Sequence, residues 1–292
     1  MRLPSKTGFA FFVLAALICL GAADVSSYQK SVDKWRQDYE TKLKADDGWL
    51  TVAALLWLHE GTNHFGSAPN NDVVLPYSSV PASAGTFELH QGKTTVHVNP
   101  GVPITLAGKP VDSMEMRPDS RQDRLAIGDL VFFVHASGTR YAIRVKDKNN
   151  PLRKEFKGLH WFPVNEAYRF NARYVAYPSP REVQVENMLG DRGSTYLAGY
   201  VAFTMNGKEY QLDAEDNGDG SLFIVFRDLT SKTSTYQARF LDTDPPKDGK
   251  VEIDFNKAYN PPCAYNPYAT CPLPSEKNRL PVEIPVGEKR YH

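Results

Sequence analysis

From Phe87 onward the chain is built of short apolar segments that alternate with polar residues and break at turn residues, a two-residue period that points to antiparallel β-structure. Phe87 and Leu89 lead into Gln91-Gly92-Lys93, with Val96 and Val98 beyond it. Leu130, Phe132 and Val134 approach Ser137-Gly138, and Tyr141, Ile143 and Val145 run back. Val201 and Phe203 precede Asn206-Gly207, a dipeptide suited to the left-handed backbone of a tight hairpin, and Tyr210 and Leu212 return. Leu222 to Phe226, Tyr236 to Leu241 and Val251 to Phe255 read as three further strands.

Ahead of this region Val32, Trp35, Tyr39 and Leu43 recur at helical spacing and predict an amphipathic helix from Tyr28 to Asp47, ended by Gly48. The apolar run Trp49 to Leu58 fits either a buried strand or a buried helical turn. Between the β-rich groups, Asn149 to Arg169 reads as a connection, with a boundary near Pro151. Its cluster Leu159, Trp161 and Phe162 argues that the two halves pack together. The expected fold is all-β, mainly antiparallel, with two packed β subdomains, an N-terminal amphipathic helix and an ordered proline-rich C-terminal strap. Its divisions are residues 1–23, 24–150 and 151–292.

The first of these divisions reads as a secretory signal peptide. Arg2 and Lys6 precede an apolar run from Gly8 to Leu20, and Gly21-Ala22-Ala23 offers small residues for cleavage. The run falls short of the ~20 residues that cross a bilayer, so no stable membrane anchor is expected after cleavage. The protein is expected to be exported, to a periplasm or beyond. Of the three cysteines, Cys19 leaves with this segment. Cys263 and Cys271 then form an even pair in an oxidising compartment, which predicts a disulfide contributing about 2.5 kcal/mol. Two free thiols are the alternative, and zinc would need further ligands. With 34 basic and 34 acidic residues scattered along the chain, a nucleic-acid partner is not expected.

The tail from Ala258 to His292 holds seven prolines and four tyrosines. Leu280, Val282, Ile284 and Val286 alternate within it, predicting an edge strand or an extended segment laid on the core, where Pro281 and Pro285 are tolerated. The run from Asp254 to Cys263, continuing through Cys271-Pro272-Leu273-Pro274 and Asn278-Arg279-Leu280-Pro281 to Gly287-Glu288, resembles the closing signature of the domain of unknown function 1684 family. Gly48-Trp49-Leu50, Trp57-Leu58, Gly158-Leu159 before Phe162-Pro163, Phe226-Arg227-Asp228, Thr235-Tyr236 and Arg239-Phe240 are similar to other landmarks of that family. His160-Trp161 and Lys257 depart from its pattern. The resemblance implies no established activity.

Familiar catalytic patterns are absent from the sequence. His59-Glu60 and His64 are spaced one residue too far apart for a zinc-protease helix, and Gly61 interrupts them. There is no Gly-x-Ser-x-Gly elbow, P-loop or dinucleotide fingerprint. Asp213, Glu215 and Asn217 begin like a calcium loop, but Ile224 stands where its closing glutamate belongs. His90 and His97, on facing strands, lack a third ligand. No metal site and no cofactor are expected.

What remains is a polar group around the strap: Asp228, Arg239, Asp254, Asn256, Tyr259, Asn260, Asn278 and Glu288. One reading has these side chains satisfying the backbone of a strap bound to a sheet. The other places them around a cleft, with Arg239 fixing an anion, the asparagines orienting a polar ligand and tyrosines covering it. The leading functional expectation is an exported binding or accessory module for a polar small molecule or glycan. A hydrolase using Asp254 and Glu288 as acid and base, and a structural envelope protein without ligand, are the alternatives.

Overall fold

The computed structural model describes residues 27–75 and 80–291. The predicted signal peptide, with Cys19, lies outside the described residues. Helix α1 occupies residues 27–44, where Val32 and Leu43 are buried as their spacing requires. Trp35 and Tyr39, on the same stripe, stay half-exposed. A close turn follows: a Cβ on Gly48 would come within 2.3 Å of the Leu43 carbonyl oxygen, so only glycine lets the chain fold back against the end of α1.

The ambiguous run resolves into a single turn of 3₁₀ helix, Trp49–Thr51, and strand β1, Val52–Trp57. There follow β2 (Gly61–Gly66), β3 (Val73–Val74), β4 (Gly85–His90), β5 (Lys93–Val98), β6 (Thr105–Leu106), β7 (Lys109–Pro110), β8 (Ser113–Met116), β9 (Leu125–Ile127), β10 (Leu130–Ser137) and β11 (Arg140–Asp147). They form two sheets, ordered β1-β11-β10-β9-β6-β7 and β3-β2-β4-β5-β8, antiparallel except for β2 with β3. Phe65, Phe87 and Val96 of one sheet and Phe132, Val134, Ile143 and Val145 of the other share one buried cluster. Each of these large side chains removes enough apolar area to contribute roughly 1.5–3 kcal/mol.

Asn150 and Pro151, read as a break, start the short helix α2, Pro151–Glu155. The Asn150 side chain accepts the Leu152 amide, and proline at the first turn gives up no intrahelical bond. The third sheet contains β12 (Arg169–Glu186), β13 (Arg192–Met205), β14 (Lys208–Asp216), β15 (Leu222–Phe226), β16 (Arg239–Asp242) and β17 (Lys250–Asp254), ordered β16-β15-β14-β13-β12-β17. The long β12–β13 hairpin gave no clear alternating signal. Ala172 is the one buried residue of β12, and a register shift between Ala176 and Arg181 accommodates Pro178 and Pro180.

The tail covers this sheet, with Leu280, Ile284 and Val286 buried alongside Phe226, Ile253 and Phe255. It does not form the regular edge strand considered for Leu280 to Val286. Isolated bridges link Arg227 to Arg279 and Trp161 to Glu288, because Pro281 and Pro285 withhold ladder donors. The expected disulfide is not formed either: Cys263 and Cys271 are free thiols, and the Cys271 sulfur accepts the Cys263 amide at 3.2 Å. The loop is held by other means. Asn266, 1% exposed, donates to the Val52 carbonyl at 2.6 Å, and the Cys271 carbonyl accepts the Met188 amide at 3.0 Å.

Candidate functional site

The residues singled out around the strap are placed largely in its anchoring. Arg239 is fully buried, 2.8 Å from the Asp228 carboxylate, and donates to the carbonyls of Ile284 and Val286. It thus takes the place of a pairing strand. Gly287 allows this approach: its φ is +80°, and a Cβ there would lie 2.7 Å from the Arg239 guanidinium. Asp228 also accepts from the Thr230 and Ile284 amides. Although it borders a depression of about 310 Å³, its oxygens are engaged. Asn278 ties the Asp213 amide and carbonyl to the Val225 carbonyl, bridging β14 and β15.

Asn256 bonds the Asn165 backbone and the Tyr28 hydroxyl. Asp254 accepts from Tyr28 of α1 at 2.8 Å and from the Asn256 amide. Glu288, 1% exposed, accepts from the Asn260 amide and side chain, each at 2.8 Å, and from the Tyr265 hydroxyl. Burial pushes its carboxyl up to about 7 despite these donors. Neither Asp254 nor Glu288 faces the principal cleft of the molecule, which Tyr259 does line.

That cleft, about 890 Å³, opens between α1, the third sheet and the strands β10 and β11. One wall is aromatic. Trp35 stacks on Tyr39 at 5.5 Å, Tyr39 meets Tyr259 at 4.7 Å, and Tyr259 meets Phe240 edge-on at 5.8 Å. Asp242 takes the Tyr259 hydroxyl at 2.7 Å. The half-exposed face of α1 therefore lines the cleft as well as carrying the packing stripe.

The opposite end is polar and lies where neighbouring strands turn a common face to the cleft. In the β10–β11 ladder Phe133 pairs with Arg144 and His135 with Ala142, so these residues share one face while Phe132, Val134, Ile143 and Val145 fill the sandwich core on the other. Arg144 is 5% exposed. Its Nη2 donates to the Thr270 hydroxyl at 3.2 Å, its guanidinium lies 5.3 Å from the Trp49 ring, and its Nε has no partner. No Asp or Glu among the described residues is at salt-bridge distance from it. Burial pushes Arg144 down from the ordinary arginine range. Lys146 on the same strand is lowered to about 8, first by burial and then by Arg124, with Arg144 and Arg121 adding to it. Arg121 and Lys42 line the cleft as well.

His135, 8% exposed, bonds at both ring nitrogens: Nδ1 to Asp119 Oδ1 and Nε2 to Thr270 Oγ1, each at 2.7 Å. Asp119 sits at φ +56°, a left-handed conformation rare for a side-chain-bearing residue, with its amide on the Val134 carbonyl at 2.8 Å and a carboxylate oxygen facing the Ala136 amide. Thr270 arrives from the tail loop that Asn266 pins to β1. Sequence reasoning missed Asp119, His135, Arg144, Trp49 and Thr270. The available signal was polar interruption, His135 and Arg144, within the mainly apolar runs Leu130 to Ala136 and Tyr141 to Val145.

The family model described as Protein of unknown function (DUF1684) matches residues 154–289. That segment includes Thr270, Tyr259 and the strap, and leaves out α1, Asp119, His135 and Arg144. No curated protein matches the chain. Among solved structures, the chain is similar to the solution NMR structure of an uncharacterized protein of Haloarcula marismortui, at 29% identity and a TM-score of 0.40, over 47% of this chain and 78% of that one.

Proposed function

We propose that the protein, whose residues 154–289 match the model of that family of unknown function, is an exported binding module for a polar small molecule, specifically one carrying a carboxylate on an apolar or aromatic body. The observation that carries the reading is Arg144. A guanidinium taken out of water with no carboxylate in contact costs several kcal/mol, and here Arg144, its Nε buried and unpartnered, lines an open cleft. A carboxylate in the cleft would pair with the edge of that guanidinium it can reach, through charge-assisted bonds. Arg121 and Lys42 add positive charge to the lining, against the carboxylates of Asp38 and Asp242, so that with Arg144 the cations outnumber the anions. The rings of Trp35, Tyr39 and Tyr259 supply the apolar contact that a charge alone lacks. Export is supported by the leader-like residues 1–23, and fractionation of expressing cells tests it.

A thermal-shift comparison of benzoate, phenylacetate and benzyl alcohol tests the ligand class. The two acids are expected to raise the unfolding midpoint in a concentration-dependent way. Equal shifts with benzyl alcohol, or none with either acid, would refute the reading.

A further inference from the structure

We infer that Asp119, His135 and Thr270 form a proton relay that makes the Thr270 hydroxyl an acyl acceptor, so that the cleft cleaves a carboxylic ester whose acid product is the ligand bound at Arg144. The inference rests on the proposed carboxylate binding and adds a reaction to it.

The hydrogen-bond directions support one consistent arrangement. Arg144 has only donors, so its 3.2 Å bond uses the Thr270 oxygen as acceptor. The Thr270 proton is then free to point at His135 Nε2, 2.7 Å away. With a neutral His135 accepting it there, the ring's own proton is on Nδ1, 2.7 Å from the Asp119 carboxylate. Asp119 fixes both tautomer and ring orientation, and its left-handed backbone aims the carboxylate at the ring. The order carboxylate, imidazole, hydroxyl is the arrangement nucleophilic acyl transfer requires. The neighbouring Cys271 is not a competing nucleophile, since burial pushes its thiol up and away from the reactive thiolate.

The step balances. Thr270 Oγ1 attacks the ester carbonyl carbon while its proton passes to His135 Nε2, and the carbonyl π pair moves onto oxygen beside the Arg144 guanidinium. Collapse expels the alcohol oxygen, which takes the proton from His135 and leaves an acyl-threonine. Water, deprotonated by His135, attacks the acyl carbon. The threonine oxygen leaves with that proton, and the carboxylic acid is released. The same guanidinium thus faces the oxyanion during reaction and the carboxylate afterwards.

p-Nitrophenyl benzoate hydrolysis by the full chain is the test, read beside calorimetric titration with benzoate. The wild type is expected to release p-nitrophenol, with a benzoyl adduct mapped to Thr270 by peptide mass spectrometry. Thr270→Val should lose roughly 100-fold or more of the rate, and Thr270→Ser should restore it. Asp119→Asn, at a half-exposed carboxylate, should slow the reaction and change its pH profile even if Thr270→Val fails to fold. Turnover unchanged in Thr270→Val, or an adduct elsewhere, overturns the relay. Benzoate binding without hydrolysis overturns the relay and spares the binding reading. Hydrolysis without measurable benzoate binding does the reverse.

Discussion

His135 Nε2 and Thr270 Oγ1 stand 2.7 Å apart although 135 positions separate them in the chain. One belongs to the N-terminal sandwich and the other to the tail that covers the C-terminal sheet. The polar end of the cleft therefore exists only while that tail loop is docked on β1.

Asn266→Ala tests the docking. Its amide bonds to Val52 and Trp49 are lost, while those carbonyls keep the Asn150 side chain and the Val52 amide, so the cost is about 0.5–1.5 kcal/mol. Denaturant unfolding should show that loss. Benzoate affinity should fall as well, although Asn266 is outside the cleft lining.

Arg239→Met probes the strap. Removing one member of a buried pair leaves Asp228 charged and unpaired, an effect of about 3–5 kcal/mol. Unfolding should shift accordingly, and proteolysis should begin in the tail. The double variant Asp228→Asn, Arg239→Met should recover part of the loss, since the isolated charge is gone.

The fold class was legible because strand alternation and turn chemistry are local: Asn206-Gly207 and the segment Leu222 to Phe226 stand where their patterns place them. The hairpin of β12 and β13 was not legible, since both faces of β12 are largely exposed and no alternation marks it. For the site, Tyr259 was identified from the tail. Asp119, His135 and Arg144 become neighbours of Thr270 only through tertiary packing, which no spacing encodes. The polar cluster of the strap was visible by composition, and the geometry shows it satisfying backbone groups: Asn278 spans two strands and Arg239 holds two carbonyls.

Glu288 gives a pH signature. Its folded carboxyl titrates at about 7 against an ordinary 4.5, so the folded state binds the proton more tightly. The associated stability is fully present below pH 4.5 and is lost as pH rises to 7, by roughly 3 kcal/mol in total. Denaturant titrations across this window should show stability falling with pH. Glu288→Gln should remove that part of the slope.

The tail cysteines should behave as thiols. Without reductant, alkylation followed by peptide mapping should modify half-buried Cys263 first and buried Cys271 only on unfolding. Cys263 is further favoured because the Cys271 hydrogen bond lowers its thiol.

The most direct measurement of the central claim is a paired one on Arg144→Met. A buried, unpaired guanidinium retained at a binding site should weaken the empty fold, so its replacement by an apolar side chain of similar length should raise the unfolding midpoint without ligand. The same variant should lose saturable benzoate binding by calorimetry. A variant that binds benzoate as tightly as the wild type, or one that loses binding only because it is less stable, would contradict Arg144 as the anchor of the ligand.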